Sequence, residues 1–165
     1  MPFEQVSREL EKCHQAQTKL CDLLEAIADD LPEDPKDVDR QRCLAAARQV
    51  FPTVKKAHDF EEKTLFPLLE DVHGNATELT KSLERLRFEH WEDESFAEEV
   101  TEGLIAFGSG DKSLDSDKMG YMLRGFFGGL RRHMAFEVEH LVPMLKPAAT
   151  LHTVNGGKAT AKAAS

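Results

Sequence analysis

Residues 58–67, HDFEEKTLFP, and residues 133–143, HMAFEVEHLVP, decide how this chain is read. Each sets a histidine four residues before a glutamate, His58/Glu62 and His133/Glu137, and closes on two apolar residues and a proline. The second copy is one residue longer. A third His-x-x-x-Glu stands at His90 and Glu94, and an unpaired His14 lies near the N-terminus. On an α-helix a step of four residues turns about 40° past a full turn, so each pair leaves its helix on one face. An imidazole and a carboxylate held side by side can chelate one metal ion or span two.

Working outward from these pairs, punctuation divides the chain into four helical stretches. The first spans about residues 3–29, with apolar spacing at Phe3, Val6, Leu10, Cys13, Leu20, Leu24 and Ile27. Pro32 and Pro35 end it. The second spans about 38–72, with Pro52 and Pro67 expected to kink it or split off its ends. Asn75 and Glu78 resemble a capping box for the third, which runs to about Phe107 and stops at Gly108. The fourth begins near Asp115 or Ser116 and ends between Pro143 and Pro147. Gly120, Gly125, Gly128 and Gly129 count against it, because each glycine costs a helix up to about 1 kcal/mol. Close helix approach is one explanation, and a loop near Gly128 is the other. The chain is therefore expected to be all-α, an up-down-up-down four-helix bundle over residues 1–147. Residues 148–165, small and polar, are expected to form a flexible tail that includes His152.

Composition limits the function. The 165 residues carry 30 acids against 21 bases, a formal charge of −9, which argues against nucleic acid or an anionic membrane as partner. No apolar run approaches the roughly 20 residues that span a bilayer. The N-terminus, MPFEQVSREL, is charged from its fourth residue and has no apolar segment of a signal peptide, so a cytoplasmic location is expected. Cys13, Cys21 and Cys43 fit no CxxC pattern and read as reduced thiols. Cys13 beside His14 is either a packed free thiol or a redox-sensitive one near a metal. A GxSxG elbow and a glycine-rich phosphate loop are both missing from the sequence.

The pairs are expected to point inward. His90 and Glu94 fill the gap in a stripe of Leu79, Leu83, Leu86, Ala97, Val100, Leu104 and Phe107. His133, Glu137 and His140 sit in or beside Met119, Met122, Phe126, Leu130, Met134, Leu141 and Met144, and His58 and Glu62 interrupt Phe51, Val54, Leu65 and Leu69. Uncompensated imidazoles and carboxylates in one small core would cost several kcal/mol each. A central metal cluster removes that cost, whereas a metal-free hydrogen-bond network would have to satisfy contributions from four helices at mid-length. Imidazole plus carboxylate without thiolate is compatible with iron, manganese or zinc, and two carboxylates able to bridge favour a dinuclear centre.

At this point the chain resembles the haemerythrin-like, or HHE cation-binding, family over about residues 5–147. The resemblance rests on the first-helix His14, HxxxE before LFP, the EH of LRFEHWEDE, and HxxxE before LVP. It implies a non-haem di-iron bundle with two oxo- or hydroxo-bridged iron ions. By position His14, His58, His90 and His133 are the implied imidazole ligands, with Glu62 and Glu137 as bridging carboxylates. Some members use the residue after the second-helix histidine, which would add Asp59; otherwise Asp59 is an exposed acid on the helix flank. Glu94 is a terminal ligand, a partner of His90, or an acid at the core edge. His140 is a partner of the site or a structural histidine at the bundle's end, and His73 is expected on the surface.

The chain departs from the oxygen-carrying haemerythrins where His90 is followed by Glu94 rather than a second histidine, and where position 138 is Val rather than aspartate. More oxygen and fewer nitrogen ligands stabilise ferric iron, which turns the expectation from oxygen carriage toward iron-dependent sensing, oxidative chemistry or iron handling. The leading reading is a protein that binds or senses dioxygen, nitric oxide or iron. The alternatives are a di-iron enzyme of oxidative or nitrosative stress defence, acting on peroxide, dioxygen or nitrogen oxides, and a metal-free helical interaction module.

Overall fold

In the computed structural model, which describes residues 2–74 and 76–146, the sequence's breaks are the breaks of the fold. Helix α1 is Pro2–Asp29, α2 is Arg40–Phe60, α3 is Phe66–His73, α4 is Thr77–Gly108 and α5 is Ser116–His140. Aspartates start two of them. Asp39 Oδ1 accepts from the Arg42 N–H at 3.1 Å and Asp115 Oδ1 from the Lys118 N–H at 2.8 Å, each satisfying an amide the helix start leaves free. Helix α4 begins after Ala76, which makes no side-chain cap bond, and Asn75 of the expected capping box lies outside the described residues. Gly74 ends α3 at φ 65°, a conformation that costs glycine little.

Pro52 is tolerated inside α2, while the helix widens just ahead of Pro67. Residues Glu61–Leu65 form a π-helical turn in which the Phe66 N–H donates to the Glu61 carbonyl, one residue further back than in an α-helix. Helix α2, the π-turn and α3 thus make one continuous rod. Helix α5 is also unbroken, so the loop considered near Gly128 does not form. Close approach does not account for its glycines either: a Cβ added at Gly125 would lie 3.5 Å from the Phe96 ring, an ordinary contact distance.

The four rods α1, α2–α3, α4 and α5 run alternately up and down, α1 packing against α2 and α5 and α4 against the same two. Arg42–Asp30 at 2.8 Å and Arg124–Asp29 at 2.6 Å tie the same end of α1 to α2 and α5. Apolar burial is split into two clusters. One gathers Leu20, Leu24, Val50, Val54, Leu104, Phe107, Leu123 and Leu130. The other gathers Leu10, Leu65, Phe66, Leu69, Leu83, Leu86 and Leu141 near the opposite end. Leu123 and Phe127 are buried although the sequence stripe passed them over, and His140, placed at its edge, is exposed. No described helix is long and apolar enough to cross a membrane. The expected tail, with His152, lies outside the described residues.

Candidate metal centre

Between the two apolar clusters lies a polar layer of His58, Glu61, His90, His133 and Glu137, all buried, with His14 at its edge. The rings of His58 and His90 stack at 3.9 Å between centroids, and His133 lies 5.2 Å from His90 and 5.7 Å from His58. Ligand atoms of Glu61, His90, His133 and Glu137 all fall within 4.8 Å of one another, as do those of His58, His90 and His133. Every rod contributes.

The imidazoles share one orientation. Outward, each Nδ1 meets a carboxylate: His58 with Glu94 at 3.0 Å, His90 with Glu62 at 2.6 Å and His133 with Glu89 at 3.1 Å. Inward, His90 Nε2 lies 2.7 Å from Glu61 Oε2, and His133 Nε2 lies 3.0 Å from Glu137 Oε1. His14 Nε2 reaches the other oxygen of Glu137 at 2.6 Å. Among the described residues His58 Nε2 and Glu61 Oε1 are buried without any partner. Such an orphan costs about 1–3 kcal/mol. The unmatched atoms are two lone-pair sites facing the same layer, which is what a cation would fill.

The electrostatics agree with that assignment. Burial, then the positive charge of His90 and His133, pushes His58 down to about 2, so its imidazole is neutral. Burial opposes charge on His133 as well, but its hydrogen bonds to Glu137 and Glu61 raise it to about 11. Glu61 is raised by burial and by the charge of Glu137 beside it. Glu137 itself is pulled well down, burial being outweighed by hydrogen bonds from His133 and His14. Without a metal, then, protons occupy the positions between imidazole and carboxylate. A metal ion does the same bridging in their place.

Placed individually, His14, His58, His90, His133 and Glu137 come together in this layer. Glu62 lies on the rim, with 43 % of its side chain exposed, and Glu94 is at 26 %. Glu94 partners His58 rather than His90. Asp59 is on the flank, paired with Lys55 at 2.9 Å and Lys63 at 3.4 Å. His140 is exposed and lies tilted against the Phe136 ring, 4.3 Å between centroids, and His73 Nε2 lies 3.0 Å from the Met144 carbonyl. Cys13 is buried, its thiol raised to about 11 by burial and then by Glu61, which makes it a packed, protonated thiol.

Glu61 is the residue the four-residue rule passed over. In an undistorted α-helix Glu62 shares the His58 face, but the π-turn begins at Glu61 and brings that carboxylate inside. A signal was present. Glu61 stands six residues before Pro67, as Glu137 stands six before Pro143. Counting back from the prolines aligns the two buried glutamates, whereas counting forward from the histidines does not.

Compared with known proteins, the chain matches the family model described as Hemerythrin HHE cation binding domain over residues 5–145. No curated protein and no solved structure matches it.

Proposed function

Because this chain belongs to the hemerythrin HHE cation-binding family, we propose that its buried His/Glu layer holds two bridged iron ions through which the protein binds or senses dioxygen, nitric oxide or iron. The shared polarity of the imidazoles carries this reading. A metal-ligating histidine usually gives its other ring N–H to a carboxylate or carbonyl, which fixes the tautomer and makes the ligand nitrogen more basic. Here Glu94, Glu62 and Glu89 take that outer role for His58, His90 and His133. His14, His58, His90 and His133 are then the nitrogen ligands, and Glu61 and Glu137 the bridging carboxylates.

When bound, an iron pair supplies a redox change and an open coordination position for a small ligand. The protein's own part is to hold the donors rigidly and keep bulk water away. Phe66 lies stacked against the His90 ring at 5.6 Å between centroids, and Leu65 on that side and Val54 and Leu130 on the other, all fully buried, stand about one helical turn from the donors Glu61, His58 and His133. Carboxylate and imidazole donors without thiolate suit iron or manganese, and zinc less selectively. Buried carboxylates favour the ferric state, which supports sensing or oxidative chemistry over reversible carriage.

Metal analysis after iron-replete expression tests the proposal, together with an optical spectrum in air before and after azide. About two irons per chain, with near-ultraviolet bands that azide shifts, is the expected result. Fewer than about one iron per chain, or zinc alone, overturns it. Glu62→Gln and Glu94→Gln are expected to weaken metal affinity about 10–100-fold in competition with a chelator while leaving the metal-free fold intact. Unchanged affinity in both would remove the outer carboxylates from the design.

A further inference from the structure

Gln17 lies one turn beyond His14 on the inner face of α1. It is fully buried, and neither its amide nitrogen nor its amide oxygen has a partner among the described residues. Buried amides are nearly always hydrogen-bonded, and an orphaned one is a standing cost that needs an explanation. Packing does not supply it, because Leu10, Leu20 and Leu24 fill comparable inner positions of the same helix. Thr18 Oγ1 contacts Met134 Sδ at 3.9 Å, and His14 contacts Glu137, so Gln17 occupies the level of α5 adjoining the polar layer.

A second observation concerns access. A cleft of about 330 Å³ opens between α1 and α2, its floor including Cys13, Ala16 and Ala57 and its charged lining one acid, Glu9, against two bases, Lys12 and Lys56. His14, Gln17 and His58 do not line the cleft, but Cys13, Ala16 and Ala57, which do, directly precede them, and the Cys13 thiol feels the charges of Glu61 and Glu137, so the cleft floor separates the outside from the polar layer. Glu9 pairs with Lys12 at 2.7 Å, leaving Lys56 with no ion pair among the described residues. A cation at the mouth of a cleft in a chain of charge −9 is a local inversion of the protein's field, and it favours approach by an anion.

We infer that Gln17 is the hydrogen-bond partner of a small anion that enters between α1 and α2 and binds on the His58 side of the centre. The inference rests on the metal reading and adds to it the ligand's chemistry: a compact anion with an acceptor atom that the amide N–H can reach. The amide oxygen is free to accept from a protonated form of the same ligand. Larger or purely apolar ligands gain nothing from the pair of orphan atoms.

Azide is the probe, used with the full iron-loaded chain. Gln17→Leu is expected to keep full iron content and raise the azide Kd about tenfold, the worth of one lost hydrogen bond. Its metal-free form is expected to melt no lower than the metal-free wild type, since an unsatisfied amide has been removed. Lys56→Gln is expected to slow azide association while leaving dissociation unchanged. An unchanged azide Kd in Gln17→Leu at full iron content overturns the inference; Gln17→Met serves the same test if leucine disturbs the fold. A lowered metal-free melting temperature in both variants overturns it too, because it would reveal a protein partner for the amide. A wild-type protein that holds no iron overturns the metal reading beneath it, which is a separate and recognisable result.

Discussion

Glu61→Ala is expected to empty at least one metal position, whereas Glu62→Ala is expected to leave both filled. Glu61 Oε2 lies 2.7 Å from His90 Nε2 and 3.7 Å from His133 Nε2, and Oε1 is a buried orphan. No other carboxylate of α2 or its π-turn reaches the inner nitrogens of two helices. Glu62 touches only the outer nitrogen of His90. Removing it loosens a ring, a loss of roughly 10–100-fold in affinity, whereas removing Glu61 deletes a donor and should exceed that range. Metal content by elemental analysis, with chelator competition for the occupied fraction, distinguishes the two. Glu61→Gln is a useful companion because it keeps shape and removes the charge. Glu61→Ala also removes the buried partner of His90 Nε2 and one of the hydrogen bonds that keep His133 protonated, so its metal-free form should melt below metal-free wild type, whereas Glu61→Gln keeps an amide oxygen there and should lose less. Full metal in Glu61→Ala and loss in Glu62→Ala would mean that the rod is a plain α-helix in solution and that the π-turn does not set the register.

That pair of glutamates also measures how far the sequence could be read. Helix boundaries were legible because proline, glycine and aspartate act locally: Pro32 and Pro35 cannot continue α1, and Asp39 and Asp115 cap α2 and α5. The inward face of α4 was legible because His90 falls in step with Leu83, Leu86 and Ala97. Glu61 was not, because a spacing rule assumes one helical pitch and Glu61–Leu65 departs from it. The outer roles of Glu62 and Glu94 were hidden for a different reason. A histidine four residues from a glutamate on one helix says nothing about which helix that glutamate finally faces. In the fold Glu62 serves His90 of α4 and Glu94 serves His58 of α2, so the two His-x-x-x-Glu pairs exchange carboxylates across the bundle. Gln17 was invisible among polar residues of α1 until burial singled it out.

Stripping the metal with a chelator is expected to lower the melting temperature by about 8–16 °C. An ion present at a thousand times its Kd stabilises by about 4 kcal/mol, and a chain of this size gains about 2–4 °C per kcal/mol. The gap should also widen with pH. In the metal-free protein, despite burial, hydrogen bonds to Glu137 and Glu61 lift His133 from an ordinary 6.5 to about 11. A raised pKa contributes stability that is complete below about 6.5 and is lost as pH climbs toward the folded value, so the metal-free form weakens across that window. Metal binding runs the other way, because the ion must displace that proton and binds better as protons become scarce. Thermal melts of loaded and stripped protein at about pH 6.5 and about pH 8.5 measure both slopes. His58→Leu separates this from a purely structural network. It removes an imidazole with an orphaned Nε2, so its stripped form should match or exceed the stripped wild type, while the gain on adding iron disappears. A stripped His58→Leu that melts far below stripped wild type, with no iron-dependent gap in either, would make the layer a hydrogen-bonded core instead of a metal site.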